Sequence, residues 1–151
     1  MHSTQQTLSY RELAQGEAIV TVFPWAEKFL HFGSECFTAA AFDDAGQCAG
    51  FLSVYPRALI GPLKGRTEGY IDVIEVSQAH RRQGVATALL ALVEAWGQER
   101  GHLQLRAWST VDKTEAIAMW RTLGYGLCPE TLKRPSRRRP PGYYVTKRIS
   151  S

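Results

Sequence analysis

A β-rich run, Tyr70-Ile71-Asp72-Val73-Ile74-Glu75-Val76, leads through a short basic segment into a strongly amphipathic stretch. The basic segment is Ser77-Gln78-Ala79-His80-Arg81-Arg82-Gln83-Gly84. Beyond it, Val85, Leu89, Leu92, Val93 and Trp96 recur at helical spacing, which predicts a helix from about Arg82 to Arg100 with these residues as its buried stripe. Arg100 and Gly101 suit its C-terminal end. A strand, a basic turn and a helix start in that order make an anion site. The first backbone N–H groups of a helix have no intrahelical partner, and the dipole there is positive. Gly84 lets the backbone approach a phosphate closely, and small Ala86 and Thr87 keep the helix mouth open. The order Arg81-x-x-Gly84-x-Ala86 is not a Walker loop, because no Gly-Lys-Ser/Thr follows. It also lacks the three spaced glycines of a dinucleotide fingerprint.

A chain of 151 residues is expected to fold as a single domain, residues 1–151, with one core. Its 44% hydrophobic and 21% charged content is ordinary for a soluble globular protein. No apolar run approaches the ~20 residues that span a bilayer, and Met1-His2-Ser3-Thr4-Gln5-Gln6 lacks the parts of a signal peptide. Cys36, Cys48 and Cys128 are scattered, which points to a reducing, cytoplasmic setting. Neither they nor His2, His31, His80 and His102 have the spacing of metal ligands, so no metal is expected.

Strand and helix signals alternate along the chain. Thr7–Leu13 reads as a strand, Ala14–Phe32 as one or two helical pieces with Phe29 and Phe32 on one face, and Cys36–Asp43 as an apolar strand. Asp43-Asp44-Ala45-Gly46 signals a turn, with Cys48–Tyr55 as the returning strand of a hairpin. Pro56–Gly69 reads as a long loop, Leu103–Trp108 and Tyr143–Ile149 as strands. Asp112-x-x-Glu115 resembles a capping box opening a helix that ends at Gly124, with Ile117, Trp120 and Leu123 inside. The class is therefore α/β, with helices on both faces of a mixed sheet. Asp72 and Glu75 interrupt an apolar strand, where acids are depleted, and strict alternation would put them on opposite faces. They are the candidate proton acceptors, ahead of Glu68.

The Arg81–Thr87 pattern resembles the pyrophosphate-binding motif of the GNAT superfamily of acyl-CoA N-acyltransferases. Ala116-x-x-x-Trp120-x-x-x-Gly124-Tyr125 resembles that superfamily's second motif, from which it departs by placing Trp120 where a tyrosine is usual. The resemblance implies a mixed, mostly antiparallel central sheet, splayed between the strands Tyr70–Val76 and Leu103–Trp108. It implies acetyl-CoA as cosubstrate. Arg81, Arg82, Gln83, Gly84, Val85, Ala86 and Thr87 would hold its pyrophosphate, and the backbone of Ile74 and Val76 its pantetheine arm. Lys113 matches a position that usually holds a pantetheine-contacting Asn, and Trp120 would pack beside the arm. An acid at the position of Asp72 serves many members as base or orients a water, so Asp72 and Glu75 are expected to be catalytic.

The implied activity is transfer of an acetyl group to a primary amine by direct attack in a ternary complex. An indole N–H cannot usefully supply a proton, so the usual tyrosine acid is missing. Ser109, Thr110, Tyr143, Tyr144 or water could protonate the leaving thiolate, or it leaves unassisted. Cys128 reads as structural rather than as an acyl carrier, since Pro129 follows and nothing places a base beside it.

The chain carries a net charge of +4, but Thr131–Ser151 holds seven basic residues and no acid, leaving 11 basic and 14 acidic elsewhere. Residues 131–142 read as a basic loop before the last strand. Its run Lys133–Arg139 would attract an acidic acceptor and argues mildly against a polycationic one. Few aromatics interleave it, so nucleic acid is not an expected partner, nor is a membrane. The expected partner is a small-molecule or peptide amine, and the family resemblance is compatible with a homodimer. Two other readings stay open at this point: an acetyl-CoA-binding protein without turnover, and a nucleic-acid-associated module using the basic loop.

Overall fold

The computed structural model describes residues 7–15, 23–130 and 141–151. The basic run Lys133–Arg139 and the middle of the expected helical segment, residues 16–22, lie outside them. Among the described residues, seven strands form one mixed sheet: β1 (Ser9–Glu12), β2 (Phe37–Phe42), β3 (Cys48–Ala58), β4 (Thr67–Val76), β5 (Gln104–Thr110), β6 (Gly126–Glu130) and β7 (Gly142–Arg148). Their order is β1-β2-β3-β4-β5-β7-β6. Two α-helices follow β4 and β5: α1 (Val85–Glu99) and α2 (Thr114–Thr122). The β1–β2, β2–β3, β5–β7 and β6–β7 pairs are antiparallel, whereas β4 and β5 are parallel. Registered pairing of β4 with β5 covers Glu68–Ile71 opposite Gln104–Ala107 and ends there.

The chain divides into two compact units. The first holds the residues up to Tyr55 with Asp72–Trp96, and the second holds Pro56–Ile71 with Gly97–Ser151. In the first unit, α1 buries Val85, Leu89, Leu90, Val93 and Trp96. The Trp96 ring stacks on Phe37 at 5.6 Å. Leu92, expected inside, is 37% exposed, because the buried arc is rotated toward Leu90. Leu13, Phe23, Ala26, Ala40, Cys48 and Phe51 form another cluster, with Val73 and Phe32 packed against it. Within the segment Ala14–Phe32, the helical element among the described residues is one 3-10 turn, Ala26–Phe29. Phe29 does not share the burial of Phe32.

In the second unit, α2 buries Trp120 against the Tyr125 ring at 4.8 Å. The helix starts at Thr114, with Lys113 as its N-cap and no side-chain cap, so the expected capping box does not form. Thr110 instead bonds the Asp112 carboxyl and holds it below the usual carboxylate range. Pro56–Ala58 extends β3 where a loop was expected. Pro56 lies past the last registered pair with β2, Phe37↔Val54, so its missing N–H breaks no rung there. β6 contains Pro129 and lies at the sheet edge, where proline is tolerated.

Gly50 on β3 sets how close α1 can come to the sheet. A Cβ there would lie 2.9 Å from both the Glu75 carbonyl oxygen and Val85 Cγ1. The carbonyl is backbone and cannot turn aside, so Gly50→Ala should cost about 1–3 kcal/mol of stability, read from urea unfolding midpoints at constant slope.

Candidate functional site

The turn between β4 and α1 is built for backbone N–H groups to point outward. Ser77 N–H closes onto the Ala49 carbonyl at 2.8 Å, and a 3-10 turn, Gln78–His80, follows. Arg82 and Gly84 then adopt left-handed backbone, with φ of 66° and 75°. Such a conformation is uncommon for a residue with a side chain. It ends any helical path through Arg82–Gly84, so α1 begins at Val85 rather than at Arg82 as periodicity suggested. The helical ladder begins with Ala88 N–H bonding the Gly84 carbonyl at 3.0 Å. Helix geometry leaves the N–H groups of Val85, Ala86 and Thr87 without intrahelical acceptors. A Cβ on Gly84 would meet nothing within 4 Å among the described residues. Arg81, Arg82, Gln83, Gly84 and Thr87 are exposed, Ala86 half-buried and Val85 buried.

A buried relay ties this turn to the β2–β3 hairpin. His80 is buried; its Nδ1 hydrogen-bonds Ser77 Oγ, and its Nε2 faces Asp43 Oδ2 at 3.3 Å. The other Asp43 oxygen accepts the N–H groups of Ala45 at 3.0 Å and Gln47 at 2.9 Å. Sequence reading left His80 without a role, because its partner lies 37 residues away in the chain.

Asp72 and Glu75 do not take opposite faces. Asp72 Oδ2 accepts a hydrogen bond from His31 Nε2 at 2.8 Å. His31 is fixed over β2 and β3: its N–H donates to Ser53 Oγ and its carbonyl accepts from Thr38 Oγ, each at 2.7 Å. Ser53 alternates onto the same face of β3 as Phe51. Val73 packs in the cluster of Phe51. Adjacent Asp72 and Val73 thus meet one face, which a regular strand cannot do. The ladder ends agree: Leu59 bonds Arg66 and Ala49 bonds Ser77, leaving one residue more on β4 than on β3. β4 therefore carries a bulge, which turns Asp72 toward His31 and keeps Glu75 on the side of Phe23 and Trp25. Glu75 lines a groove of about 350 Å³ with Phe23, Trp25, Ser77, Gln78 and Arg81. Its carboxylate faces Arg81 at 3.6 Å.

Asp72, Ile74, Glu75, Val76 and Arg81–Thr87 all belong to the first unit. Lys113 and Trp120 belong to the second. Lys113 is exposed at the start of α2, and Trp120, 3% exposed, has little surface to offer a ligand. Ser109 Oγ is buried with no hydrogen-bond partner among the described residues, whereas Thr110, Tyr143 and Tyr144 are half-buried. Glu68 is 1% exposed and holds Arg106 Nε at 3.0 Å and Gln104 Nε2 at 2.7 Å, which makes it a structural anion. Burial pushes the Cys48 thiol up to about 11 and, with Glu35, also raises Cys36, so neither offers a thiolate near neutrality. Among the described residues, no group of three or more His, Cys, Asp or Glu side chains is placed to hold a metal ion. No described helix is long and apolar enough to cross a membrane.

A model of the acetyltransferase (GNAT) family matches residues 5–125. The aminoglycoside N(6')-acetyltransferase type 1 of Acinetobacter haemolyticus is 35% identical over 57 residues, covering 38% of this chain and 39% of that protein. The chain thus spans well under two thirds of that relative's length. A crystal structure of nourseothricin acetyltransferase superposes with a TM-score of 0.62 at 28% identity, covering 77% of this chain and 66% of the other. Arabidopsis thaliana NAA60 in complex with acetyl-CoA superposes with a TM-score of 0.75 at 14% identity, covering 95% and 99%, and shares the fold.

Two expectations test the turn. Gly84→Asp projects a negative charge into the open space above it and should abolish acetyl-CoA binding in calorimetry. Gly84→Asn makes the same backbone demand without the charge and should bind more tightly than the Asp variant; equal affinity for Gly84→Asp and wild type would remove the phosphate role. Asp43→Ala strips His80 of a buried acceptor. A destabilisation of about 1–3 kcal/mol is expected, with faster amide exchange at Arg81–Gly84 and weaker acetyl-CoA binding.

Proposed function

The chain belongs to the acetyltransferase (GNAT) family, and we propose that it moves an acetyl group from acetyl-CoA to a primary amine by direct transfer in a ternary complex. The observation that carries this reading is the left-handed turn at Arg82 and Gly84 opening into α1. The turn aims unpaired N–H groups and a helix dipole at one open position, which fits a pyrophosphate. Arg81 and Arg82 add charge there. Ile74 and Val76 lie beyond the last registered β4–β5 pair, Ile71↔Ala107, so their backbone is offered to the pantetheine amides.

The thioester is already activated, so the chain has little chemistry to supply. An alkyl amine has a pKa near 10 and must lose a proton before it can attack. That proton leaves toward Asp72, directly or through a group that Asp72 holds; Glu75, facing Arg81, is second to it. Holding both substrates in one geometry supplies much of the remaining rate. The coenzyme thiolate departs with a pKa near that of a free thiol, about 8.5, and needs no strong acid. This accommodates a tryptophan where the family usually has tyrosine.

The acceptor is a small-molecule or peptide amine. The relatives named for aminoglycoside and nourseothricin acetylation put small-molecule amines first. The three free cysteines suit a reducing, cytoplasmic setting. Loss of thioester absorbance should be followed with an aminoglycoside, nourseothricin, spermidine and a peptide with a free N-terminus. Turnover with at least one is expected. Tight acetyl-CoA binding with no turnover across the panel would instead favour a binding protein without transferase activity.

A further inference from the structure

His31 is the residue near Asp72 that sequence reading did not single out, and its surroundings are unusually determined. Its backbone is pinned on both sides, by Ser53 Oγ and Thr38 Oγ at 2.7 Å each. Those two hydroxyls bond one another at 2.7 Å, so the support is itself rigid. The imidazole lies against the Tyr55 ring at 4.6 Å, and Nε2 meets Asp72 Oδ2 at 2.8 Å. Side-chain exposure is 31% for His31 and 30% for Asp72, so the pair is neither sealed in the core nor free in solvent. His31 also lines a cavity of about 220 Å³ with Glu12, Phe32, Cys36 and Thr38.

An ionised carboxylate accepts hydrogen bonds only, so the Asp72 contact requires a proton on His31 Nε2. In the neutral ring the lone pair then sits on Nδ1. An imidazole with a free ring lone pair is the side chain used most often to accept a proton in catalysis. Four ionisable groups face this ring: Asp72 from β4, Tyr55 from β3, and Glu12 and Cys36 across the cavity. Two of them, Asp72 and Glu12, are carboxyls.

We infer that His31 Nδ1 is the proton acceptor for the amine, with Asp72 as the positioning residue that holds the tautomer and offsets the imidazolium charge. This deepens the acetyltransferase reading and rests on it. The ammonium gives one proton to Nδ1 and becomes the free amine. Its nitrogen bonds the acetyl carbon, and the carbon–sulfur bond breaks with its electron pair going to sulfur. The second nitrogen proton ends on the thiolate, through water. The imidazolium proton returns to solvent, so each turnover releases one proton.

The test uses acetyl-CoA and whichever amine of the panel above turns over fastest. His31→Gln should lower turnover about a hundredfold or more at pH 7, and much less near pH 10, where free amine is abundant. Acetyl-CoA affinity should not change. His31→Gly should regain activity with added imidazole. Long-range nitrogen–proton NMR should show neutral His31 protonated at Nε2 in wild type, and a tautomer mixture in Asp72→Asn. Wild-type turnover by His31→Gln, a loss equal at every pH, or a proton on Nδ1 overturns the assignment of His31 while leaving the acetyltransferase reading intact. No turnover of any amine by wild type overturns both.

Discussion

The candidate site depends on how closely the start of α1 can approach the end of β4, and Gly50 decides that distance. The Glu75 carbonyl and a Val85 methyl each lie within 2.9 Å of where a side chain would begin. The sheet therefore receives the first turn of the helix almost in contact with backbone. The bulk of α1 is then held by ordinary apolar burial of Leu89, Leu90, Val93 and Trp96. Burial at that scale is non-directional and would tolerate a helix that slid or rolled. The tight contact at Gly50 removes that freedom at the N-terminal end, where the outward N–H groups lie.

The turn itself is held by polar rather than apolar contacts. Left-handed backbone at Arg82 costs energy that the surroundings must overcome. The Ser77–His80–Asp43 relay supplies directional bonds from inside, where low dielectric strengthens each of them. Asp43 at the same time closes the hairpin by taking two N–H groups. One carboxylate thus organises two turns, and the loop that would face an anion rests on a buried anion beneath it.

Much of the α/β order was legible. The β4–turn–α1 passage is written in local signals: alternation, a glycine, then a period near 3.6. The hairpin at Asp43–Gly46 and the closing strand β7 were legible for similar reasons. What failed did so where neighbours override local pattern. Leu92 lies at the margin of an apolar arc, and only the position of the sheet says which side of that arc is covered. β6 contains a proline and no alternation, and becomes a strand because β7 offers it an edge. Pro56 stays in β3 because the pairing with β2 has already ended.

The sequence by itself determined that a glycine turn joins a strand to a helix here, because a strand end, a glycine and a helix start are neighbours in the chain and their geometry is local. It also placed Asp72 and Glu75 on the strand beside that turn. Tertiary structure alone decided which way those acids point. The bulge in β4 arises from its pairing with β3, and it brings both acids to the side of Phe23, Trp25 and His31. His31 lies 41 residues from Asp72 in the chain. No periodicity links residues so far apart, and their hydrogen bond exists because Thr38 and Ser53 hold the intervening loop against the sheet.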